Sequence, residues 1–514
     1  DQPGTWRVEH ADPARLRMRV YAGPRPTQVL ERFTADPDVG RQPEPAPWYF
    51  GPWYQPTGED EFRRSLVPRW REEDVPVTVA QTYTHYLPCA GQAGREQQER
   101  DLTAMYHRWG YKVTTYVNSF VCETHPQYDE GDANGYFVKT AAGTTYPIPY
   151  AAWLDSSSAV VDFSAPGATE YWQGLIDDAL ANGYDGWMED FGEYVPPDSR
   201  LADGRSGFEA HNSYCTEYHR ASQQLTGSRK DFAQYVRCGY LGTAPYARIV
   251  WGGDPTEDDS EADGLAAALH QGLSMGLSGI AYWGSDIGGF HSLFTRDRTN
   301  AELVVRWLQL GAFSGIMRTQ AEGYGRPDQT GPRAEVWSDD VFPHWRRLAE
   351  LRTQLHPYIW AAAQEYRRNG LPLMRHLALA YPGSAAAWDN DGPATSQFLF
   401  GPDLLVAPVV DMGATSRDVW LPPGRWVDLW DLLTFDEPTG ELRRDPAGAA
   451  TLTGNRTITV DAPLDRVPVF VKAGTCLPML PGDVDTLVTD TGFERDPDVV
   501  TLAERADQVR RICA

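Results

Sequence analysis

Hydrophobic and polar positions follow two different patterns along the chain. Between residues 46 and 365, short β-rich runs end in small or acidic residues, and stretches with apolar residues at helical spacing follow them. The predicted strands include 75–80, 111–118, 186–190, 248–251, 279–283 and 313–318. The predicted helices include 168–181, 263–277 and 301–311. This alternation predicts a (β/α)8 TIM barrel over 46–365, with an open doubly wound sheet as the alternative.

The two ends of the chain are rich in strands instead. After residue 365, runs of Val, Leu, Phe and Trp are separated by Gly, Pro and Asp turns, which predicts a C-terminal β-sandwich over 366–480. Near the start, an Asp-Pro turn splits two strand-like runs within 5–21. Strands so few cannot form a covered sheet, so they either join strands that lie upstream or dock on the next domain of the chain. Residues 481–514 are an unassigned tail or the start of a distal β-domain.

Charge and composition exclude several classes of function. The chain has 71 acidic and 46 basic residues, a net charge of −25, which argues against partners such as nucleic acid or an anionic membrane surface. No apolar run approaches the roughly 18 residues of a membrane span. The six cysteines form no Cys-x-x-Cys pair, so we expect no metal site, and either buried thiols or at most one or two bridges.

Four predicted strands run into charged side chains, and these are the candidates for chemistry. Asp190, Asp254, Asp286 and Arg318 each lie at or just after the end of a β-rich run. In a barrel the carboxyl ends of the strands share the active face. Two carboxylates on opposite sides of a glycosidic bond can act as nucleophile and general acid. The alternatives are solvated acids, or a calcium loop over 254–261, whose spacing does not match an EF-hand.

Two further motifs are rejected on their context. The triplet 190–192 spells the metal-binding motif of kinases, but no Gly-rich loop and no His-Arg-Asp loop accompany it. The segment 272–276 spells the nucleophile elbow of serine hydrolases, but it lies inside or at the end of a predicted helix, whereas the elbow needs a strand before it.

In the motifs 187–193, 251–254 and 285–290, the chain resembles glycoside hydrolase family 31, over about residues 20–480. That family holds α-glucosidases, α-xylosidases, α-galactosidases and sulfoquinovosidases. The resemblance implies Asp190 as catalytic nucleophile and Asp254 as general acid/base, with no cofactor. It also implies a large N-terminal β-sandwich, of which 1–45 would be a remnant. The rest of that sandwich would then be absent or form a separate N-terminal fragment that acts as a partner.

The substrate-binding residues are assigned from the same motifs and from the aromatic residues beside them. We expect the sugar to be bound by Arg237, Asp286, Arg318, Gln320, Trp187, Trp251, Trp283, Phe290, Gln81 and Tyr83. For any single tryptophan, packing in the core is the alternative.

The chain departs from the family pattern at several of these positions. Gln320 stands where the family usually has a His, and 81–86 lacks the carboxylate of the family's glucosidases, which argues against a plain α-glucosidase. Sulfoquinovosidases read a sulfonate with an Arg-x-x-Trp pair and a Tyr. Here the third residue after Arg95 is Gln98 instead of Trp, and Phe290 stands in place of the Tyr. Both differences argue against a sulfonated sugar.

These observations together predict a retaining, exo-acting α-glycoside hydrolase. Its substrate would be an α-linked glycoside or oligosaccharide. The alternatives are an α-transglycosylase, a sulfoquinovosidase-like enzyme and a catalytically silent sugar-binding barrel. The sequence leaves the sugar, the linkage and the oligomeric state open, and we favour an extracellular over a cytoplasmic location.

Overall fold

A parallel sheet that curves into a barrel occupies the first two thirds of the chain. The computed structural model describes residues 18–55, 60–149, 157–295, 297–320, 329, 332–445, 447–490 and 494–514. The strands of this part are β1 Pro52–Tyr54, β2 Val79–His85, β3 Lys112–Asn118, β4 Phe120–Cys122, β5 Ile148–Pro149, β6 Ser157–Val160, β7 Gly186–Asp190, β8 Ala233–Val236, β9 Ile249–Trp251, β10 Trp283–Gly284, β11 Asp286–Ile287 and β12 Met317–Thr319.

The barrel is nearly closed because its two edge segments are neighbours in sequence. The sheet order is β10-β9-β8-β7-β3-β2-β1-β12-β11, with all pairs parallel. β10 and β11 are separated by Ser285 alone, and they pair with β9 and β12 respectively. We therefore treat them as one interrupted strand, which gives the described part of the sheet the eight positions of a TIM barrel.

Helices cover the outside of the barrel wall. They are α1 Pro26–Ala35, α2 Asp60–Glu72, α3 Glu96–Arg108, α4 Tyr128–Asn134, α5 Ala168–Ala181, α6 Gly207–Thr226, α7 Leu265–Leu277, α8 Ala301–Ala312, α9 Phe342–Gln354 and α10 His356–Asn369. A 3-10 turn at Ala244–Tyr246 takes the place of a helix between β8 and β9. Helix α6 begins with a capping box, in which Ser206 and Glu209 satisfy each other's backbone N–H groups.

The barrel interior below the mouth is filled by aromatic side chains. Tyr235 lies 5.6 Å from Trp53 and 5.7 Å from Trp251, ring centre to ring centre, and all three residues are buried. Such edge-to-face contacts close the lower part of the barrel, so a ligand has access only from the carboxyl ends of the strands.

A small three-stranded sheet, ordered β4-β6-β5, is inserted between β3 and β7. A disulfide between Cys89 and Cys122 joins this insertion to the loop after β2. The disulfide therefore links the small sheet covalently to the segment that follows β2, the strand that carries Gln81.

The C-terminal domain is built from antiparallel strands. Its elements are β13 Met374–Arg375, α11 Leu377–Ala380, α12 Pro393–Ser396, β14 Phe398–Phe400, β15 Leu404–Val406, β16 Ser416–Leu421, β17 Arg425–Asp428, α13 Leu429–Leu432, β18 Leu433–Asp436, β19 Glu441–Arg444, β20 Thr451–Thr453, β21 Arg456–Asp461, β22 Val469–Lys472, β23 Cys476–Met479, α14 Leu502–Arg505 and β24 Arg510–Cys513. A six-stranded sheet, β13-β14-β15-β22-β17-β20, packs on the β16–β21 pair through a second apolar core.

The two ends of the chain differ from the sequence expectation in different ways. Residues 1–17, which hold most of the expected N-terminal strands, lie outside the described residues, and 18–45 contains helix α1 and no strand. The tail after residue 480 turns back, because β24 pairs with β23 and a disulfide joins Cys476 to Cys513. Its backbone N–H at Leu487 donates to Thr78 at the base of the barrel.

Candidate active site

The ends of two strands bring the predicted catalytic carboxylates together around one cation. Arg237 follows β8, and its Nη1 lies 3.0 Å from Oδ1 of Asp190 and 3.7 Å from Oδ2 of Asp254. The two carboxyl oxygens are therefore no farther apart than the sum of these distances. That limit accommodates the separation of about 5–5.5 Å that is typical of the carboxyl groups of retaining pairs.

Asp190, the last residue of β7, has hydrogen-bond donors on both oxygens. Oδ1 accepts from the backbone N–H of Phe191 at 2.8 Å, in addition to its ion pair with Arg237. Oδ2 accepts from the hydroxyl of Tyr116 at 2.5 Å. The chain turns sharply here, since φ is +62° at Phe191 and +104° at Gly192. A side chain at Gly192 would lie 2.7 Å from Sγ of Cys238, so this turn requires glycine.

Asp254 lies three residues beyond β9 in a different environment. Its side chain is 37% exposed at the mouth, and none of the described residues donates a hydrogen bond to it. Burial of the carboxyl among protein groups, together with the charge of Asp190, raises its pKa to about 8, although Arg237 opposes this shift. At neutral pH this raised pKa favours the protonated form of the carboxyl.

A buried polar cluster forms the floor of the site. Arg318 forms an ion pair with Asp286 and donates to Gln320, and Nε2 of Gln81 donates to Oε1 of Gln320 at 2.6 Å. Burial raises the pKa of Asp286 to about 6, against the opposing charge of Arg318. Oδ2 of Asp286 is buried and has no hydrogen-bond partner among the residues described, so it can accept from a ligand hydroxyl.

Two family profiles cover the barrel and the C-terminal domain. The profile of the glycosyl hydrolases family 31 TIM-barrel domain matches residues 42–362, and that of the glycosyl hydrolase family 31 C-terminal domain matches residues 370–477. The chain belongs to glycoside hydrolase family 31. The family resemblance drawn from the motifs is thereby confirmed, as is the predicted TIM barrel followed by a C-terminal β domain.

Sulfoquinovosidases of family 31 are about 30% identical to the chain over the aligned residues. A sulfoquinovosidase from Agrobacterium fabrum is 33% identical over 370 residues, which cover 71% of this chain and 51% of that protein. One from Escherichia coli is 31% identical over 466 residues, 87% of this chain and 63% of the relative. The solved structure of a family 31 sulfoquinovosidase from E. rectale matches with a TM-score of 0.73 and 29% identity, over 88% of this chain and 66% of that one.

The chain therefore spans about half to two thirds of the length of these family 31 relatives. In the described part of the chain, no helix is long and apolar enough to cross a membrane. Within the same residues, no group of three or more His, Cys, Asp or Glu side chains is arranged to hold a metal ion.

Trp251, Phe290 and Tyr83 lie on or near the family 31 site, each in a different setting. Trp251 is fully buried inside the barrel, where its ring lies 5.6 Å from the guanidinium of Arg318. Phe290 is buried beside the loop that carries Asp254, and its backbone N–H donates to the carbonyl of Pro255 at 2.8 Å. Tyr83 is partly exposed on the side of the mouth that carries Tyr116.

The structure corrects the assignment of Trp187 and Trp283 as sugar-binding residues. Nε1 of Trp187 donates to Glu189 at 2.9 Å and to Ser222 of helix α6 at 3.1 Å. The ring of Trp283 packs against helix α7, where a Cβ on Gly272 would lie 2.7 Å from it. Side chains alternate along a strand, so the residues that flank an inward-facing position point to the helices outside. Both tryptophans are buried parts of the wall.

Two residues at the site are not predicted from the sequence. Tyr116 lies in the predicted strand 111–118, two residues before Asn118, which pairs with Asp190 across the sheet. His85 stacks on Tyr116 with ring centres 3.9 Å apart. Strand alternation would have placed Tyr116 and Asn118 on one face, but only the register between β3 and β7 brings Tyr116 to Asp190.

Proposed function

We propose that the chain carries the catalytic centre of a retaining, exo-acting α-glycosidase, with Asp190 as nucleophile and Asp254 as general acid/base. The observation that carries this proposal is the contact of one guanidinium, Arg237, with both carboxylates. It keeps the two groups close enough for a covalent intermediate, and it leaves their surroundings different enough for two roles.

In the first step, Asp254 gives its proton to the glycosidic oxygen and the bond from C1 to that oxygen breaks. Asp190 forms a bond to C1 from the opposite face, so a covalent glycosyl-enzyme results. In the second step, Asp254 takes a proton from water, the water oxygen bonds to C1, and the bond to Asp190 breaks. Two inversions give a product with the anomeric configuration of the substrate.

The floor of the site supports recognition of a sugar through hydroxyl groups. Asp286, Arg318, Gln320 and Gln81 offer acceptors and donors in one hydrogen-bonded cluster. Gln81 and Gln320 are neutral amides, each able to donate and accept. All four side chains are buried at the base of the site, which supports a closed pocket that receives a terminal sugar.

A panel of 4-nitrophenyl α-glycosides tests the proposal. The glucoside, galactoside, xyloside, N-acetylgalactosaminide and sulfoquinovoside are each assayed, and the sugar that is released is followed by proton NMR. We expect turnover of at least one, with the α-anomer appearing first. The matching 5-fluoroglycosyl fluoride should then add to the peptide that contains Asp190, as seen by mass spectrometry.

Several outcomes would contradict this proposal or redirect it. Initial release of the β-anomer would indicate inversion, and labelling of another residue would remove the nucleophile assignment. Turnover confined to the sulfoquinovoside would assign the activity named for the Agrobacterium fabrum and Escherichia coli relatives. Transfer of the sugar to added glucose in preference to water would identify a transglycosylase. No turnover and no labelling with any sugar would indicate a silent barrel.

A further inference from the structure

The nucleophile has a partner that the two-carboxylate mechanism does not use. Tyr116 lies on β3, next to β7 in the sheet, and its hydroxyl donates to Oδ2 of Asp190 at 2.5 Å. The tyrosine is 1% exposed, so this hydrogen bond is shielded from water. A hydrogen bond from a neutral donor to a carboxylate in such surroundings is among the stronger ones in proteins.

The two oxygens of Asp190 are not equivalent. Oδ1 accepts a hydrogen bond from the backbone N–H of Phe191 and forms an ion pair with the guanidinium of Arg237. Oδ2 accepts one hydrogen bond among the described residues, from the hydroxyl of Tyr116. A carboxylate oxygen has two lone pairs in its plane. Oδ1 therefore has both an N–H donor and a cation against it, whereas Oδ2 accepts from the tyrosine hydroxyl and keeps one lone pair for the bond to C1.

Aromatic packing holds Tyr116 in this position. The ring of His85 stacks on it with centres 3.9 Å apart and an angle of 18°, and the ring of Tyr83 meets it edge-on at 5.2 Å. Burial lowers the pKa of His85 to about 4, against the charge of Asp190. The imidazole is therefore neutral in the physiological range and places no positive charge beside Asp190.

We propose that Tyr116 is a third catalytic residue, whose hydroxyl acts on the oxygen that bonds to C1 and whose effect falls on the second step. This inference rests on Asp190 being the nucleophile. In the first step Oδ2 gives an electron pair to C1 and loses negative charge, so the hydrogen bond weakens. In the second step the C1–Oδ2 bond breaks, its electron pair returns to Oδ2, and the hydrogen bond strengthens.

Tyr116 keeps its proton throughout both steps. The water proton goes to Asp254, and the water oxygen takes the place of Oδ2 on C1. A hydrogen bond that strengthens as a step proceeds lowers the barrier of that step. It does not lower the barrier of the first step, in which negative charge leaves Oδ2. Hydrolysis of the glycosyl-enzyme is therefore the step that depends on the hydroxyl.

Tyr116→Phe tests this assignment, because it removes one oxygen and keeps the stacked ring. With the 4-nitrophenyl α-glycoside that the wild-type protein hydrolyses best, we expect kcat to fall about 100-fold. KM should fall in parallel, so that kcat/KM changes by less than about threefold. Mass spectrometry of the acid-quenched steady state should show the glycosyl-enzyme as the main species.

A fall of kcat/KM as large as that of kcat, with KM unchanged and no accumulated intermediate, would overturn the proposal, and so would unchanged kinetics. Tyr214→Phe is the matched control, since Tyr214 is a buried tyrosine of α6 whose hydroxyl donates to the carbonyl of Val161 at 2.7 Å. It should share the loss of stability but keep wild-type kinetics.

Two further measurements separate this inference from other failures. Incorporation of 3-fluorotyrosine at position 116 keeps the ring and the hydroxyl and makes the hydroxyl a stronger donor, so kcat should be equal to or above that of the wild type. A fall of kcat as large as that expected for Tyr116→Phe would contradict the inference, even if Tyr116→Phe did not fold.

The second measurement applies the 5-fluoroglycosyl fluoride to the wild-type protein. Labelling of a residue other than Asp190 would contradict the proposed function itself. If Asp190 is labelled but Tyr116→Phe has unchanged kinetics and accumulates no glycosyl-enzyme, only the role of Tyr116 would be contradicted.

Discussion

The ends of β7 and β9 carry the same residue type in opposite settings. Asp190 is 6% exposed and has donors on both carboxyl oxygens. Asp254 has a side chain that is 37% exposed, and its nearest positive charge among the described residues is 3.7 Å away at Arg237. The donors around each carboxyl, rather than the residue type, separate a nucleophile from an acid.

The position of each strand in the barrel explains this difference. β7 lies between β3 and β8, and each neighbour contributes a partner of Asp190: Tyr116 of β3 donates a hydrogen bond, and Arg237, just after β8, forms an ion pair. Asp254 is reached only after β9 has ended, through Gly252 and Gly253. It lies beyond the sheet, where neighbouring strands no longer supply donors.

The strongest test of this comparison is Asp190→Ala. We expect kcat to fall at least about 10⁴-fold on the best substrate, because the variant lacks the carboxylate that is proposed to form the covalent intermediate. Sodium azide should restore part of the activity and yield the β-glycosyl azide, since the space that the mutation opens lies on the face opposite the leaving group. Circular dichroism should match that of the wild type. Formation of an α-glycosyl azide instead would indicate that Asp190 is the general acid/base and that Asp254 is the nucleophile.

The sequence predicts part of this arrangement, and local patterns are the reason. Asp190, Asp254 and Arg318 can be located because strand ends in a barrel share one face, and each ends or follows a recognisable run. Tyr116 cannot be found in the same way, since its contact with Asp190 depends on the register between two strands 74 residues apart in the chain. Trp187 was misassigned because its place in a motif outweighed the parity of the strand.

The fold shows the same limit at the chain ends. Periodicity predicts the alternating strands and helices of the first region and the strands of the C-terminal region, and helix α5 has the predicted bounds. The return of the tail to the barrel depends on pairing between β23 and β24 and on the Cys476–Cys513 disulfide, and neither can be read from local sequence. Long-range pairing of this kind is specified by the whole fold.

Asp254→Ala tests the other strand end. The nucleophile remains, so the effect should depend on the leaving group. For a glycoside of 2,4-dinitrophenol, which needs no proton to depart, kcat/KM should change by about tenfold or less. For a disaccharide or a methyl glycoside it should fall about 10³-fold. Equal losses on both substrates would show that Asp254 does not act as the acid.

The pH profile of the wild-type protein sharpens the same test. Asp254 must be protonated for the first step, and its pKa is raised to about 8. We therefore expect kcat/KM for a poor leaving group to stay high below that pH and to be lost as the pH rises through about 8. Asp254→Asn should lose this basic limb, whereas a limb that persists in the variant would belong to another group.

Arg237→Lys should weaken the contacts that join Asp190 and Asp254 to one cation. An ammonium group on a flexible stem cannot reproduce the fork that contacts Asp190, Asp254 and Glu193 together. We expect kcat/KM to fall about 100-fold. Because the guanidinium charge lowers the pKa of Asp254, weaker contact should also move the basic limb to higher pH. An unchanged limb would show that Arg237 affects binding alone.

The smallest effect should come from the outer face of β7. Trp187→Phe removes two hydrogen bonds, to Glu189 and Ser222, from a side chain that does not reach the mouth. The free energy of unfolding in urea should fall by about 1–3 kcal/mol, because buried acceptors lose a donor. KM should stay within about twofold of wild type. Trp251→Phe, which removes an inner contact of Arg318, is the matched control and should raise KM more. A large KM change in Trp187→Phe without loss of stability would return Trp187 to the sugar-binding set.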